Sequence, residues 1–184
     1  MSSSNSPRLT LSEAVVAAQD FLDGMAMPAE CEGFVVLNDA TLIFDEGWIF
    51  FWDSIRHRRT RDFGDALGGN APVFVARDGS PPCTVGYHRP YAEAMAAWRS
   101  CADVNAPAKA QVVLMRADGG LSMRDVLHAI GAQSALGLGD AKRAVDACIA
   151  GVPTTVDVSS VEAAAALADA LAQMGVCAER VYGH

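Results

Sequence analysis

Five consecutive large apolar residues, Trp48-Ile49-Phe50-Phe51-Trp52, follow the turn-forming triplet Asp45-Glu46-Gly47. A β-strand sends alternate side chains to opposite faces, so this run is apolar on both. It requires a central strand covered on both sides, and hence a layered fold. It is far short of the roughly 20 apolar residues that a membrane-spanning helix takes.

The surrounding segments fit an α+β layer. Residues 1–8 read as a disordered tail. Thr10-Leu11-Ser12-Glu13 is a capping box, a hydroxyl with a carboxylate three residues on. Leu11, Val15, Ala18 and Leu22 then share one helical face, and Gly24 is a natural stop, so a helix is predicted over 11–23. Residues 33–37 and 41–44 are strand-like, separated by Asn38-Asp39. Arg56 to Asp65 is polar and reads as a loop. Further strands are expected over 72–76 and 84–87, with a turn at Asp78-Gly79, and Pro90 opens a helix to about Arg99. The first domain is thus one helix, an antiparallel sheet and a second helix, over 9–100.

Residues 101–109 carry no apolar period and read as a linker. Beyond it the order becomes β-α-α-β-α-β over 110–184, a two-layer sandwich. The expected elements are a strand at 111–116, a turn at Asp118-Gly119-Gly120, helices at 123–132 and 139–150 and a strand at 152–158. A second capping box, Ser159-Ser160-Val161-Glu162, leads a further helix, and a closing strand runs over 176–182.

Charge narrows the partners. The 184 residues carry a net charge of −8, of which residues 1–105 hold −6 and residues 106–184 hold −2. An acidic chain is a poor fit to nucleic acid or an anionic membrane, and a protein partner is expected instead. The polar start has no apolar segment of the secretory kind. Five cysteines (31, 83, 101, 148 and 177) without a CxxC pair argue for reduced thiols in a cytoplasm rather than a disulfide scaffold or zinc ribbon.

The search for chemistry is mostly negative. The four histidines show no metal-ligand spacing, so neither a metal nor a cofactor is expected. Cys83 and His88 sit five apart, but inert packing of the thiol is the favoured reading. Gly137-Leu138-Gly139 with Lys142 departs from the phosphate-loop pattern and reads as a joint between helices. Trp48, Phe50 and Trp52 share one strand face and are assigned to the core. The cluster Arg56-His57-Arg58-Arg59-Thr60-Arg61 is the one basic run, a solvated loop by default. A non-enzymatic binding protein, monomeric or weakly dimeric, is what these residues support.

Two resemblances extend this reading. Gly47-Trp48-Ile49-Phe50-Phe51, then Ala66-Leu67-Gly68-Gly69-Asn70-Ala71-Pro72-Val73-Phe74-Val75, then Asp78-Gly79, Gly86 and Pro90-Tyr91-Ala92-Glu93 resemble the immunity protein 35 family in order and spacing, over about residues 10–98. The resemblance implies a small α+β domain of bacterial polymorphic-toxin loci that binds and neutralises a toxin by occlusion. It treats Gly47, Trp48, Gly69, Asn70 and Pro72 as structural. The family tends to place an aromatic-Leu-Glu-Thr-Gly stretch where this chain has Arg56, Arg58, Arg59 and Arg61, which implies that this loop carries partner specificity. A toxin acting on nucleic acid would be basic, and Asp39, Asp45, Glu46, Asp62 and Asp65 are the candidate toxin-binding acids. Ala135 to Val145, Val152-Pro153 and Ser159 to Gly175 resemble the C-terminal domain of the large ribosomal subunit stalk protein. That resemblance implies a partner module in which Lys142 and Arg143 are candidate contacts. It also implies the alternative of a chaperone-like or translation-associated adaptor.

Overall fold

The computed structural model describes residues 8–26, 32–117 and 120–184. The tail expected over 1–8 therefore lies outside it except for Arg8, as do Cys31 and the first two residues of the turn expected at Asp118. The chain divides into two compact units between Tyr91 and Ala92.

In the first unit, helix α1 (Leu11–Asp23) starts at the expected capping box. The Thr10 hydroxyl accepts from the Glu13 amide, and the Glu13 carboxylate accepts from the Thr10 amide at 2.8 Å. Gly24 ends the helix, in a right-handed conformation. Strands β1 (Phe34–Val36), β2 (Leu42–Ile43), β3 (Gly47–Phe50) and β4 (Trp52–Ser54) follow. The aromatic run is thus two strands, not one. β3 lies inside a four-stranded antiparallel sheet of order β2-β3-β5-β6, completed by β5 (Val73–Ala76) and β6 (Cys83–Thr84). β4 leaves that sheet after Phe51 and pairs antiparallel with β1 as a separate ribbon. The burial that the sequence demanded is met all the same: Trp48, Phe50 and Trp52 join one core with Ala14, Ala18 and Leu22 of α1. Ile49 and Phe74, which point to the opposite face, are also buried.

The stretch Arg56–Asp65, expected as a loop, is instead helix α2 (Ile55–Thr60) followed by one 3-10 turn (Phe63–Asp65). Ser54 caps α2 by accepting from the His57 amide at 3.0 Å, and arginine is a good helix former. The strand expected over 84–87 contracts to β6.

The second unit carries α3 (Tyr91–Cys101) across the division, then β7 (Ala108–Ala117), α4 (Met123–Gln133), α5 (Leu138–Ile149), β8 (Thr154–Asp157), α6 (Val161–Gln173) and β9 (Val176–Tyr182). The last six give the expected β-α-α-β-α-β order, with the sheet arranged β8-β7-β9, all antiparallel. The three helices bury Val126, Ile130, Val145, Leu167 and Leu171 against Val112 and Leu114 of the sheet. The second capping box is one residue out of place: Ser160, not Ser159, is the N-cap, and its hydroxyl accepts from the Ala163 amide. Gly151 and Gly175, with φ of 77° and 79°, follow α5 and α6 in a backbone conformation that costs glycine nothing.

The segment 101–109 is packed rather than a free tether. Val104 and Ala106 are fully buried. Ala106 and Ala97 of α3 pack with Tyr182. The Ser100 hydroxyl donates to the Tyr182 carbonyl at 3.0 Å and accepts from the Tyr182 amide at 3.1 Å. Glu93 meets Arg180 at 3.2 Å. These contacts place most of α3 with the β9 end of the second unit, whereas its sequence position suggested the first domain. Two isolated apolar residues in a nine-residue stretch produce no period, so their burial leaves no signature in the sequence.

Candidate docking site

The residues of the immunity-like motif build a framework. Gly47 is obligatory: a Cβ there would lie 2.2 Å from the Val75 carbonyl oxygen and 2.9 Å from the Ala76 Cα. Trp48 is buried beneath the Arg77 guanidinium, 4.2 Å from its ring centre. Gly69, with φ of 74°, makes the turn that brings Asn70 against β4. The Asn70 side-chain amide donates to the Trp52 carbonyl, and the Trp52 indole N–H donates to the Ala71 carbonyl at 2.8 Å. Tyr87 closes the same loop by donating its hydroxyl to the Asn70 carbonyl. Pro72 then starts the strand side, its carbonyl accepting from Val85.

The β1–β4 ribbon stands on this framework. Phe34, Val36, Trp52 and Ser54 face inward, and the Phe34 and Trp52 rings meet edge-on at 4.7 Å. Val35 and Asp53 face outward and are half-buried. The ribbon's outer edge is closed by α1. The Gln19 side-chain amide donates to the Phe34 carbonyl at 2.9 Å, and its oxygen accepts from the Val36 amide at 3.3 Å. One glutamine thereby replaces the strand that would otherwise pair there.

Beyond Ser54 the ribbon leads into the α2 lobe. Ser54 is fully buried and ties the lobe together, capping α2 while donating to the Asp65 carbonyl at 3.2 Å. His57 Nδ1 lies 2.5 Å from the Asp53 carboxylate. Arg56 pairs with Asp65 at 2.9 Å, and the Thr60 hydroxyl donates to Asp65 at 2.7 Å. The Thr60 bond first, with help from the Arg56 charge, holds the Asp65 carboxyl below the ordinary carboxylate range. Arg59 pairs with Glu32 at 2.5 Å. Arg58 and Arg61 are exposed and have no partner among the described residues. Arg61 takes a left-handed conformation, φ 59°, to end the helix. An open groove of about 600 Å³ runs beside α2, floored by Val35, Leu37 and Ile55 and rimmed by Arg58, Arg59 and Asp39. Phe63, in the same lobe, is 91% exposed.

The five candidate acids do not form one face. Asp39 lines the groove together with Arg58 and Arg59. Asp45 and Glu46 occupy the β2–β3 turn, where Arg77 donates to the Asp45 carbonyl at 3.1 Å. Asp62 is exposed and caps the 3-10 turn by accepting from the Gly64 amide. Asp65, expected to be exposed, is instead held inside the lobe by Arg56 and Thr60, so its charge is internally used. Of the four candidate arginines, Arg56 and Arg59 are likewise committed.

In the second unit, Lys142 pairs with Asp146 at 2.6 Å and Arg143 pairs with Asp140, both along α5. A second apolar groove lies between α4 and α5, lined by Met123, Leu127, Leu138, Arg124 and His128. The His88 ring nitrogen accepts from Arg89 at 2.9 Å, and Cys83 is half-buried opposite Phe74 in β6. Burial pushes the Cys148 thiol up, away from the reactive thiolate. Among the described residues no cluster of His, Cys, Asp and Glu could hold a metal ion, and no helix is long and apolar enough to cross a membrane.

Sequence reasoning missed Ser54, Gln19, Ile55 and Phe63. Ser54 had a readable signal, a serine directly before a run of helix formers. The others had none, because their roles depend on what the fold brings beside them. No curated protein and no solved structure matches the chain. A family model does match: residues 12–100, the first unit together with α3, match Immunity protein 35.

Proposed function

We propose that this chain is an immunity protein that binds a bacterial toxin one-to-one and occludes its active site. The observation that carries the reading is the Immunity protein 35 match over residues 12–100. The geometry fits the same reading. The motif residues are spent on holding the ribbon, while side chains able to meet a partner stand on the α2 lobe and on the turns at strand ends. Loops held on a rigid scaffold are where protein contacts concentrate. Asp39, Asp45 and Asp62 are the exposed acids able to meet basic groups of a toxin; Glu46, half-buried beside Asp45, already has a contact within the chain, and Asp65 leaves the set. Residues 110–184, with Lys142 and Arg143, are proposed as an accessory partner module of stalk-like fold.

The test is rescue. The full chain is co-expressed with each polymorphic-toxin domain encoded in the same genome, and growth and complex stoichiometry are measured. One toxin should be silenced, and a one-to-one complex should be isolated. Failure to silence any of them overturns the reading.

A further inference from the structure

We infer that the α2 lobe, with the groove beside it, docks an acidic segment of a protein partner that carries an apolar anchor. The inference rests on the reading of the chain as a stoichiometric protein inhibitor and adds where one acidic segment of that partner sits, apart from the basic groups that would meet Asp45 in the β2–β3 turn.

The first half of the chain is net acidic, yet α2 and its cap carry four arginines in six positions. Two of those charges are spent inside the unit, Arg56 on Asp65 and Arg59 on Glu32. Arg58 and Arg61 are not spent on any described residue, and both are exposed. Arg58, in the last turn of α2, complements the helix dipole, and neither guanidinium is held by a described side chain. The pair is a ready fork for carboxylates from outside.

Apolar surface sits beside those charges. Phe63 is 91% exposed and Ile55 43% exposed, both in the lobe, and Val35 and Leu37 line the floor of the groove. Arginine and aromatic side chains side by side are the composition of an interface anchor rather than of a solvated face. Arg58 and Ile55 both line the groove, so an acidic partner would place its carboxylates toward Arg58 and its apolar side chain over Ile55. Nucleic acid fits less well. Two free guanidiniums in a chain of net charge −8 are too few to neutralise a polyphosphate.

The probe is a random-peptide display library panned on the full chain. Three variants are scored beside the wild type. R58E/R61N removes both free charges, and asparagine tolerates the left-handed backbone at position 61, so folding should be kept. F63S removes the exposed aromatic side chain of the lobe. D169K changes an exposed acid of α6, to which no binding role is assigned. Thermal unfolding verifies that each variant is folded. Selected peptides should carry carboxylates beside an aromatic residue or leucine. They should bind R58E/R61N at least about tenfold more weakly, bind F63S weakly, and bind D169K as they bind the wild type. Selection of acid-free peptides, equal binding to R58E/R61N, or no selected peptide at all overturns the assignment. So does a labelled oligothymidylate that binds more tightly than the peptides. The two readings fail separately. Peptides indifferent to Arg58 and Arg61 overturn this assignment even where the chain rescues cells. Arginine-dependent acidic peptides uphold it even where no toxin is silenced.

Discussion

Replacing Gln19 by methionine should destabilise the first unit without changing its core. The side chain is half-buried and makes three hydrogen bonds: to Asp23 at 2.8 Å, to the Phe34 carbonyl at 2.9 Å and from the Val36 amide at 3.3 Å. Methionine has nearly the same length and helix propensity, so α1 itself is unaffected. What is lost is the partner of two backbone groups on the outer edge of β1. A fully buried orphan costs about 1–3 kcal/mol, and these groups are part-buried, so water recovers some of that. The expected loss is about 2 kcal/mol for the pair. For a chain of this size that corresponds to a fall in Tm of about 4–8 °C. Urea unfolding followed by tryptophan fluorescence reads it directly, since Trp48 and Trp52 lie in this core. The newly bare strand edge should also raise concentration-dependent aggregation, measurable by light scattering. A Gln19→Met chain within about 0.5 kcal/mol of the wild type, with no added scattering, would show that the glutamine is not acting as a substitute strand.

Gly47→Ala should cost more than about 3 kcal/mol, because its methyl group meets backbone atoms of β5 that cannot give way; wild-type urea stability would refute the close approach. Acid should loosen the α2 lobe. The Asp65 carboxyl is held below its ordinary value, so its contribution is present above the unfolded pKa of about 4 and is lost as pH falls through the folded value. Amide protection factors in α2, corrected for the intrinsic pH dependence of exchange, should fall below about pH 4 in the wild type and fall less in Asp65→Asn. Trypsin should cut first at Arg58, Arg59 or Arg61, which are exposed, and not at Lys109, since Val104 and Ala106 beside it are buried; mass spectrometry of early fragments decides this.

Much of the fold was legible because local chemistry and tertiary role coincide. The α1 cap, the glycine stops and the order of the last six elements follow from short-range rules, and the structure adopts them. The aromatic run shows where such rules end. Its burial was readable, but the break at Phe51 was not, because a strand that changes sheets keeps its alternation and alters only its partners. The α2 helix was hidden because its residues are uniformly polar, so no apolar stripe marks it; only the Ser54 cap does. At the candidate site, the arginine cluster stood out in the sequence, but which guanidiniums are free depends on Glu32 and Asp65, one of them 27 residues from its partner. Asp65 looked like a surface acid for the same reason.

The pleat of the β1–β4 ribbon sets the two sides of this unit apart. Phe34, Val36 and Trp52 belong to the core, while Val35 and Asp53, one position along, belong to the outer face. Substitutions on that outer face, or in α2 and the 3-10 turn, change what is displayed while leaving the packed volume beneath untouched. The display of α2, Phe63 and the groove can therefore be rewritten with no new core to build. If the α2 lobe is the docking surface proposed above, the division of labour is that of an antibody domain, a packed framework under a rewritable face, here compressed into a two-stranded ribbon and six residues of helix.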